Sequence, residues 1–201
     1  MPNWVHNHMT ISGDKNLLVE VQTILGKEYK KIDNGDVNFF NLVAPPEENW
    51  DEYNSVGVPG LSPEEKANHP TFNWYDWNCN NWGTKWNACE PSADMIGNNL
   101  EVSFDTAWSH PTGFVNALVS LLGRLGLTMY YTWEEEQGFG ETWNFDKNGL
   151  ELKDSWDIPS SHADFEKRDK DCYCEIWEDD KDYWFDDCPK KESDKNETVS
   201  V

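Results

Sequence analysis

Cys172, Cys174 and Cys188, with His162 upstream, put four soft ligands in one short stretch, and such residues are what a transition metal takes. Paired C-x-x-C spacing is the usual zinc signature and C-x-C is a poor one, so the sequence predicts no metal and no cofactor. His6 and His8 stand two apart, hence on one face of a strand, but no third ligand lies near them. They are expected to face solvent or pack at an edge. Glu134, Glu135 and Glu136, with Glu141 across a hairpin, offer carboxylates for glycosyl hydrolysis. Nothing in the sequence supplies the environment that pulls two carboxyl pKa values apart, and a solvated hairpin is the better reading. The chain has no G-x-S-x-G, Walker loop, G-x-G-x-x-G or H-E-x-x-H motif. It is not expected to be an enzyme.

Two features remain, tryptophan and charge. Between Trp74 and Trp86 the chain packs four tryptophans and three asparagines into thirteen residues. Such a cluster is either a packing knot or a recognition surface for sugars or bases. Proteins that stack on bases pair aromatics with a basic groove, and here Lys85 alone is basic, so nucleic acid is disfavoured and a structural cluster favoured. A carbohydrate- or small-ligand-binding module built on this platform is the alternative reading. The charge is −22 on 201 residues, with 38 acids against 16 bases and only Arg124 and Arg168 as arginines. The acid excess runs through both the first 150 residues and the remainder. Charge of that sign repels nucleic acid and anionic membranes and favours basic partners. A solvated acidic surface that only confers solubility is the bland alternative.

The elements that position these residues can be read from periodicity. Residues 4–12 alternate, with Val5, Asn7, Met9 and Ile11 on one side and Trp4, His6, His8 and Thr10 on the other. Asp14 is placed to cap a helix whose stripe is Leu17, Leu18, Val21, Ile24 and Leu25, stopped by Gly26. Asn34-Gly35 is a turn, and Val37 to Val43 reads as a second, buried strand ended by Pro45-Pro46. Residues 45–97 form an insertion whose tryptophans are expected to give it a small core. Alternation returns at Leu100, Val102 and Phe104. A second helix carries Phe114, Val115, Leu118, Leu121, Leu122 and Leu125, capped by Ser109 or Thr112 and stopped by Gly126. Leu127, Met129, Tyr131 and Trp133 make a further strand. Gln137-Gly138 turns the chain into Phe139 to Phe145, and Asn148-Gly149 into another hairpin. Two βαβ units of this kind predict an α+β, ferredoxin-like antiparallel sheet with two helices on one face, the Trp-rich insertion and extra C-terminal hairpin strands. This domain is expected over 1–150, an acidic aromatic extension over 151–188 and a disordered tail over 189–201.

No signal peptide is read at the N-terminus, and the most apolar run, Phe114 to Tyr131, is too interrupted to span a bilayer. Five cysteines, an odd count, point to a reducing cytoplasm.

Several segments resemble the YubB-like family of phage and conjugative-plasmid proteins, whose domain is ferredoxin-like. They are Met-Pro-Asn-Trp-Val-His-Asn-His-Met-Thr-Ile-Ser-Gly at 1–13, Asn-Trp-Gly-Thr-Lys-Trp-Asn at 81–87 and Phe-Asp-Thr-Ala-Trp-Ser at 104–109. Gly138-Phe139-Gly140 supports them. The resemblance covers roughly residues 1–150 and implies a mobile-element setting, often among genes that counter host defence. It transfers no activity to individual residues. Joined to the charge, it yields a functional expectation: a phage- or plasmid-encoded anti-defence protein, anti-CRISPR or anti-restriction. It would act in the host cytoplasm, filling the basic groove of a nucleic-acid-handling nuclease with a DNA-mimicking surface and touching neither nucleic acid nor membrane. The residues expected to form that surface are Glu134, Glu135, Glu136, Asp179, Asp180, Asp182, Asp186 and Asp187, with Trp177 and Trp184 as aromatic anchors.

Overall fold

Alternation from Trp4 onward builds the central strand of the protein. The computed structural model describes residues 3–55, 73–168, 170–176, 182 and 184–191. Its strands are β1 (Trp4–Ser12), β2 (Cys89–Ile96), β3 (Asn99–Ala107), β4 (Thr128–Glu135), β5 (Gly140–Asp146) and β6 (Gly149–Trp156). They form one six-stranded sheet in the order β2-β3-β1-β4-β5-β6, and every neighbouring pair is antiparallel. Helix α1 (Lys15–Leu25) joins β1 to the insertion, which carries α2 (Trp50–Ser55) and α3 (Trp74–Asn81); α4 (Thr112–Leu125) joins β3 to β4. Val5, Met9 and Ile11 on β1, Leu100, Val102 and Phe104 on β3, and Met129, Tyr131 and Trp133 on β4 are all buried. Their alternate neighbours are not, so one face of the sheet is covered and the other is open to solvent at its centre. Leu18, Val21 and Leu25 of α1 and Phe114, Val115, Leu118, Leu121 and Leu122 of α4 bury the matching stripes.

The expected caps are half right. Asp14 accepts from the amides of Asn16 and Leu17, as its position predicts. Neither Ser109 nor Thr112 caps α4; Pro111 holds that place without a side-chain hydrogen bond, and Gly126 ends the helix in the left-handed conformation.

The expected strand at 37–43 is not one. Asn38 caps a short 3-10 turn, Phe39–Asn41, which buries Phe39 and Phe40 together, whereas a strand would send them to opposite faces. The strand that follows α1 in the sheet is β2, inside the stretch expected to be insertion. Between α1 and β2, asparagine amides supply many of the hydrogen bonds that backbone ladders supply elsewhere in the sheet. Asn34 donates to the carbonyls of Val37 and Ala88, and Asn41 to those of Leu25 and Lys27. Asn87 accepts from the amides of Phe39 and Ala88, and Asn78 donates to the Lys85 carbonyl while accepting from the Tyr53 hydroxyl. Buried backbone groups need partners whether or not they lie in regular structure, and a short two-headed amide serves both donors and acceptors.

The chain divides into two units, Met1–Glu136 with Gly140–Trp156, and Gln137–Phe139 with Asp157–Val201. The second holds α5 (His162–Lys167) and α6 (Tyr173–Ile176). Ser161 caps α5, and the Asp187 carboxylate accepts from the amides of His162 and Ala163. Residues 189–191, expected in the tail, make a helical turn in which Lys190 donates to the Cys174 carbonyl and Lys191 to that of Trp184. The core of this unit is Phe165, Cys172, Cys174, Trp184 and Cys188, flanked by Tyr173 and Phe185.

Candidate functional site: the outward sheet face and a thiol–imidazole cluster

The outward face of the sheet carries the even-numbered residues of β1 and their cross-strand partners. His6 lies opposite Asp105 and Glu134, and His8 opposite Ser103 and Thr132. His6 Nδ1 is 2.7 Å from Asp105 Oδ1, and His8 Nε2 is 3.3 Å from Glu101 Oε2, which also accepts from Thr10 at 2.6 Å. The two imidazole side chains are 62 % and 55 % exposed, as their alternation predicts. Around them runs an open groove of about 420 Å³ that includes Glu90, Asp105 and Glu134 in its walls. Glu90 reaches it through a β-bulge: the register between β2 and β3 shifts between Cys89 and Ser92, and Glu90 has φ 47°. A left-handed backbone at a residue other than glycine is costly, and bulges re-aim side chains. The groove thus brings together three carboxylates from three strands, with no lysine or arginine among its lining residues.

The expected partner surface is distributed differently. Glu134 faces outward into this groove, Glu135 is buried at 2 % exposure on the opposite face, and Glu136 lies past the strand end, accepting from the Trp4 amide. Adjacent strand residues alternate, so the three glutamates do not form one face. Asp182, Asp186 and Asp187 belong to the second unit, where Asp187 is engaged at the start of α5 and Asp186 pairs with Lys191 at 3.0 Å. Trp184, expected as an exposed anchor, is buried in that unit's core. Asp179, Asp180 and Trp177 lie outside the described residues.

Glu141 also departs from the carboxylate-pair reading. Its Oε2 accepts from the indoles of Trp133 and Trp143, at 3.2 and 2.9 Å. His110 stacks flat on Trp133, 4.6 Å between ring centres. Burial pushes the His110 imidazole below its ordinary value, against the opposing pull of Glu141.

The tryptophan cluster splits. Trp77 and Trp82 are buried, and Trp82 packs edge-on against Phe39, Phe40 and Trp77 while donating to the Val43 carbonyl at 2.8 Å. Trp86 is half-buried, with the Lys85 ammonium over its ring at 4.5 Å and over Trp108 at 4.7 Å. Two of the four tryptophans thus form a packing knot, while Trp74 and Trp86 stay half-buried, and the Lys85 ammonium covers one face of Trp86.

The ligands set aside on spacing meet in space. His162, Cys172, Cys174 and Cys188 are all buried, and one ligand atom from each lies within 4.8 Å of every other. Cys172 Sγ is 3.7 Å from Cys188 Sγ, and Cys174 Sγ is 3.5 Å from His162 Nδ1. The C-x-C spacing does not keep these groups apart: α6 begins between the two neighbouring cysteines, and both thiols lie within 4.8 Å of His162 and Cys188.

The fold defines an α+β protein on an antiparallel sheet, and no helix among the described residues is long and apolar enough to cross a membrane. No family model and no curated protein matches the sequence. The structure is similar to the crystal structure of protein api92 from Yersinia pseudotuberculosis, which carries the family-model designation DUF1281. The likeness has a TM-score of 0.50 at 10 % identity, over 79 % of this chain and 99 % of that one. At that identity the likeness concerns the fold alone.

Proposed function

We propose that the chain is a binding protein without catalytic activity. It is a mobile-element inhibitor, anti-CRISPR or anti-restriction, that occupies the basic groove of a host nucleic-acid-handling nuclease in the cytoplasm. The first unit is read as a ferredoxin-like domain of the YubB-like kind, supported by the strand order β2-β3-β1-β4 with α1 and α4 set between the strands. The observation that carries the reading is the outward groove. Glu90, Asp105 and Glu134 surround solvent-facing histidines on a chain of net charge −22. Spaced carboxylates on a rigid sheet offer a basic protein what phosphates offer it, and electrostatic complementarity of this sort sets on-rate and partner choice.

The test is competition. The protein should displace DNA or RNA from a basic nuclease complex of its host, with an affinity that falls steeply as salt rises. Glu90→Gln, Asp105→Asn and Glu134→Gln together should weaken that binding at least tenfold without lowering the melting midpoint by more than a few degrees. Asp182→Asn with Asp186→Asn measures any share carried by the second unit; Asp187 is left out because it accepts from two amides at the start of α5. Wild-type inhibition by both variants, or inhibition that never competes with nucleic acid, overturns the proposal.

A further inference from the structure

We propose that His162, Cys172, Cys174 and Cys188 form a tetrahedral Cys3His zinc site that holds the second unit together, independently of any partner on the sheet face. Tetrahedral zinc with Zn–S near 2.3 Å and Zn–N near 2.0 Å separates two sulfurs by about 3.8 Å and a sulfur from a nitrogen by about 3.5 Å. The observed 3.7 Å between Cys172 Sγ and Cys188 Sγ and 3.5 Å between Cys174 Sγ and His162 Nδ1 match that geometry, and every other pair of the four ligand atoms lies within 4.8 Å, about 1 Å from it at most. A disulfide would need about 2.05 Å, and all five cysteines are free.

The surroundings fit a structural site with four protein ligands. All four residues are buried, which suits a closed site rather than one that keeps a position for water. His162 directs Nδ1 at the sulfurs and Nε2 at the Glu166 carboxylate, 3.5 Å away, the outer partner that fixes ring orientation in metal-binding histidines. Three thiolates around zinc leave one negative charge. The Lys190 ammonium, donating to the Cys174 carbonyl, brings a positive charge beside one of the ligands.

The core supplies an independent reason. Among the described residues, three of its five members are cysteines, leaving Phe165 and Trp184 as the large apolar side chains. Cores this small rarely suffice without a metal or a cross-link, and structural zinc supplies folding energy outright. Sulfur-rich tetrahedral donors select zinc over magnesium or calcium, which prefer oxygen.

The full chain, purified under reducing conditions from zinc-supplemented cells, should carry one zinc per chain by elemental analysis. Cys174→Ser and Cys188→Ser should each lose at least nine-tenths of it, while Cys79→Ser and Cys89→Ser keep it. If the first two variants fail to accumulate, cobalt exchange into the wild-type chain decides: sulfur-to-cobalt charge-transfer absorption with tetrahedral d–d bands is expected. Chelation should open residues 157–191 to protease while the sheet unit stays resistant. A reduced chain that retains less than a tenth of an equivalent of zinc and gives no cobalt spectrum overturns the site. A Cys172–Cys188 disulfide in the purified protein does so too. Unchanged protease resistance after complete zinc removal overturns its structural role.

Discussion

Trp82 and Trp86 stand four residues apart in the same run yet do different work. Trp82 is 1 % exposed, ringed by aromatic edges and hydrogen-bonded through its indole. Trp82→Ala should cost about 3–5 kcal/mol in denaturant unfolding, the usual range for a large aromatic deleted from a core. Trp86 has a cation over one face and Trp4 at 6.0 Å, so Trp86→Ala should cost about 1 kcal/mol. Equal losses would mean that the cluster is one knot. His110 gives a second test at this scale. Burial favours its neutral form in the folded protein, so the unfolded chain takes up the proton first as pH falls. The stabilisation is fully present above about pH 6.5 and drains away below it, through the lowered folded pKa. His110→Phe keeps a ring on Trp133 and removes the titration. Its melting midpoint should therefore fall less than that of the wild type between about pH 7 and pH 5, and parallel profiles would refute the assignment.

Among elements, α4 is fixed by how closely its first turn approaches the end of α3. A Cβ on Gly113 would collide with the backbone carbonyl of Asn81, and the Gly113 amide donates to the Trp82 carbonyl at 2.9 Å. Propensity alone predicts that glycine to alanine in a helix gains about 1 kcal/mol. Here the sign should reverse, and Gly113→Ala should lose about 3 kcal/mol or more because the obstacle is backbone. Gly97, in the turn between β2 and β3, has φ 61° and open space around it. Gly97→Ala should lose only about 1–2 kcal/mol, the cost of a left-handed backbone. Comparable losses in the two variants would show that the contact at α4 relaxes freely.

For the whole molecule, a charge of −22 works against compactness. Among the described residues, the ion pairs of Lys30 with Glu47, Lys153 with Glu151 and Lys191 with Asp186 lie at the surface, where such pairs are worth little. Screening should therefore stabilise the fold. The melting midpoint should rise by several degrees between about 10 mM and about 0.5 M sodium chloride, as the Debye length shrinks from about 30 Å to a few ångströms. A midpoint that is flat or falls with salt would mean that the attractive pairs outweigh the repulsion. The same screening weakens any complex built on the sheet face, so stability and affinity should move in opposite directions with salt.

Elements whose code is local were legible in the sequence. Alternation located β1, β3 and β4, a 3.6-residue stripe located α1 and α4, and Asp14 and Gly126 mark ends whose hydrogen bonds lie within a turn. What depends on distant neighbours was not. The stretch at 37–43 has strand composition, but the Asn38 side chain from within it and the Asn87 side chain from outside, themselves hydrogen-bonded, accept from its amides in place of a neighbouring strand. Glu90-Pro91-Ser92 interrupts the alternation of β2, and its pairing with β3 decides that it is a strand at all. Burial of Glu135 follows from strand parity, whereas burial of Trp184 follows from the path of an irregular chain. The meeting of His162 with Cys172, Cys174 and Cys188 has the same origin. Spacing in sequence measures distance only along regular structure, and the turns between residues 162 and 188 set where four ligand atoms end.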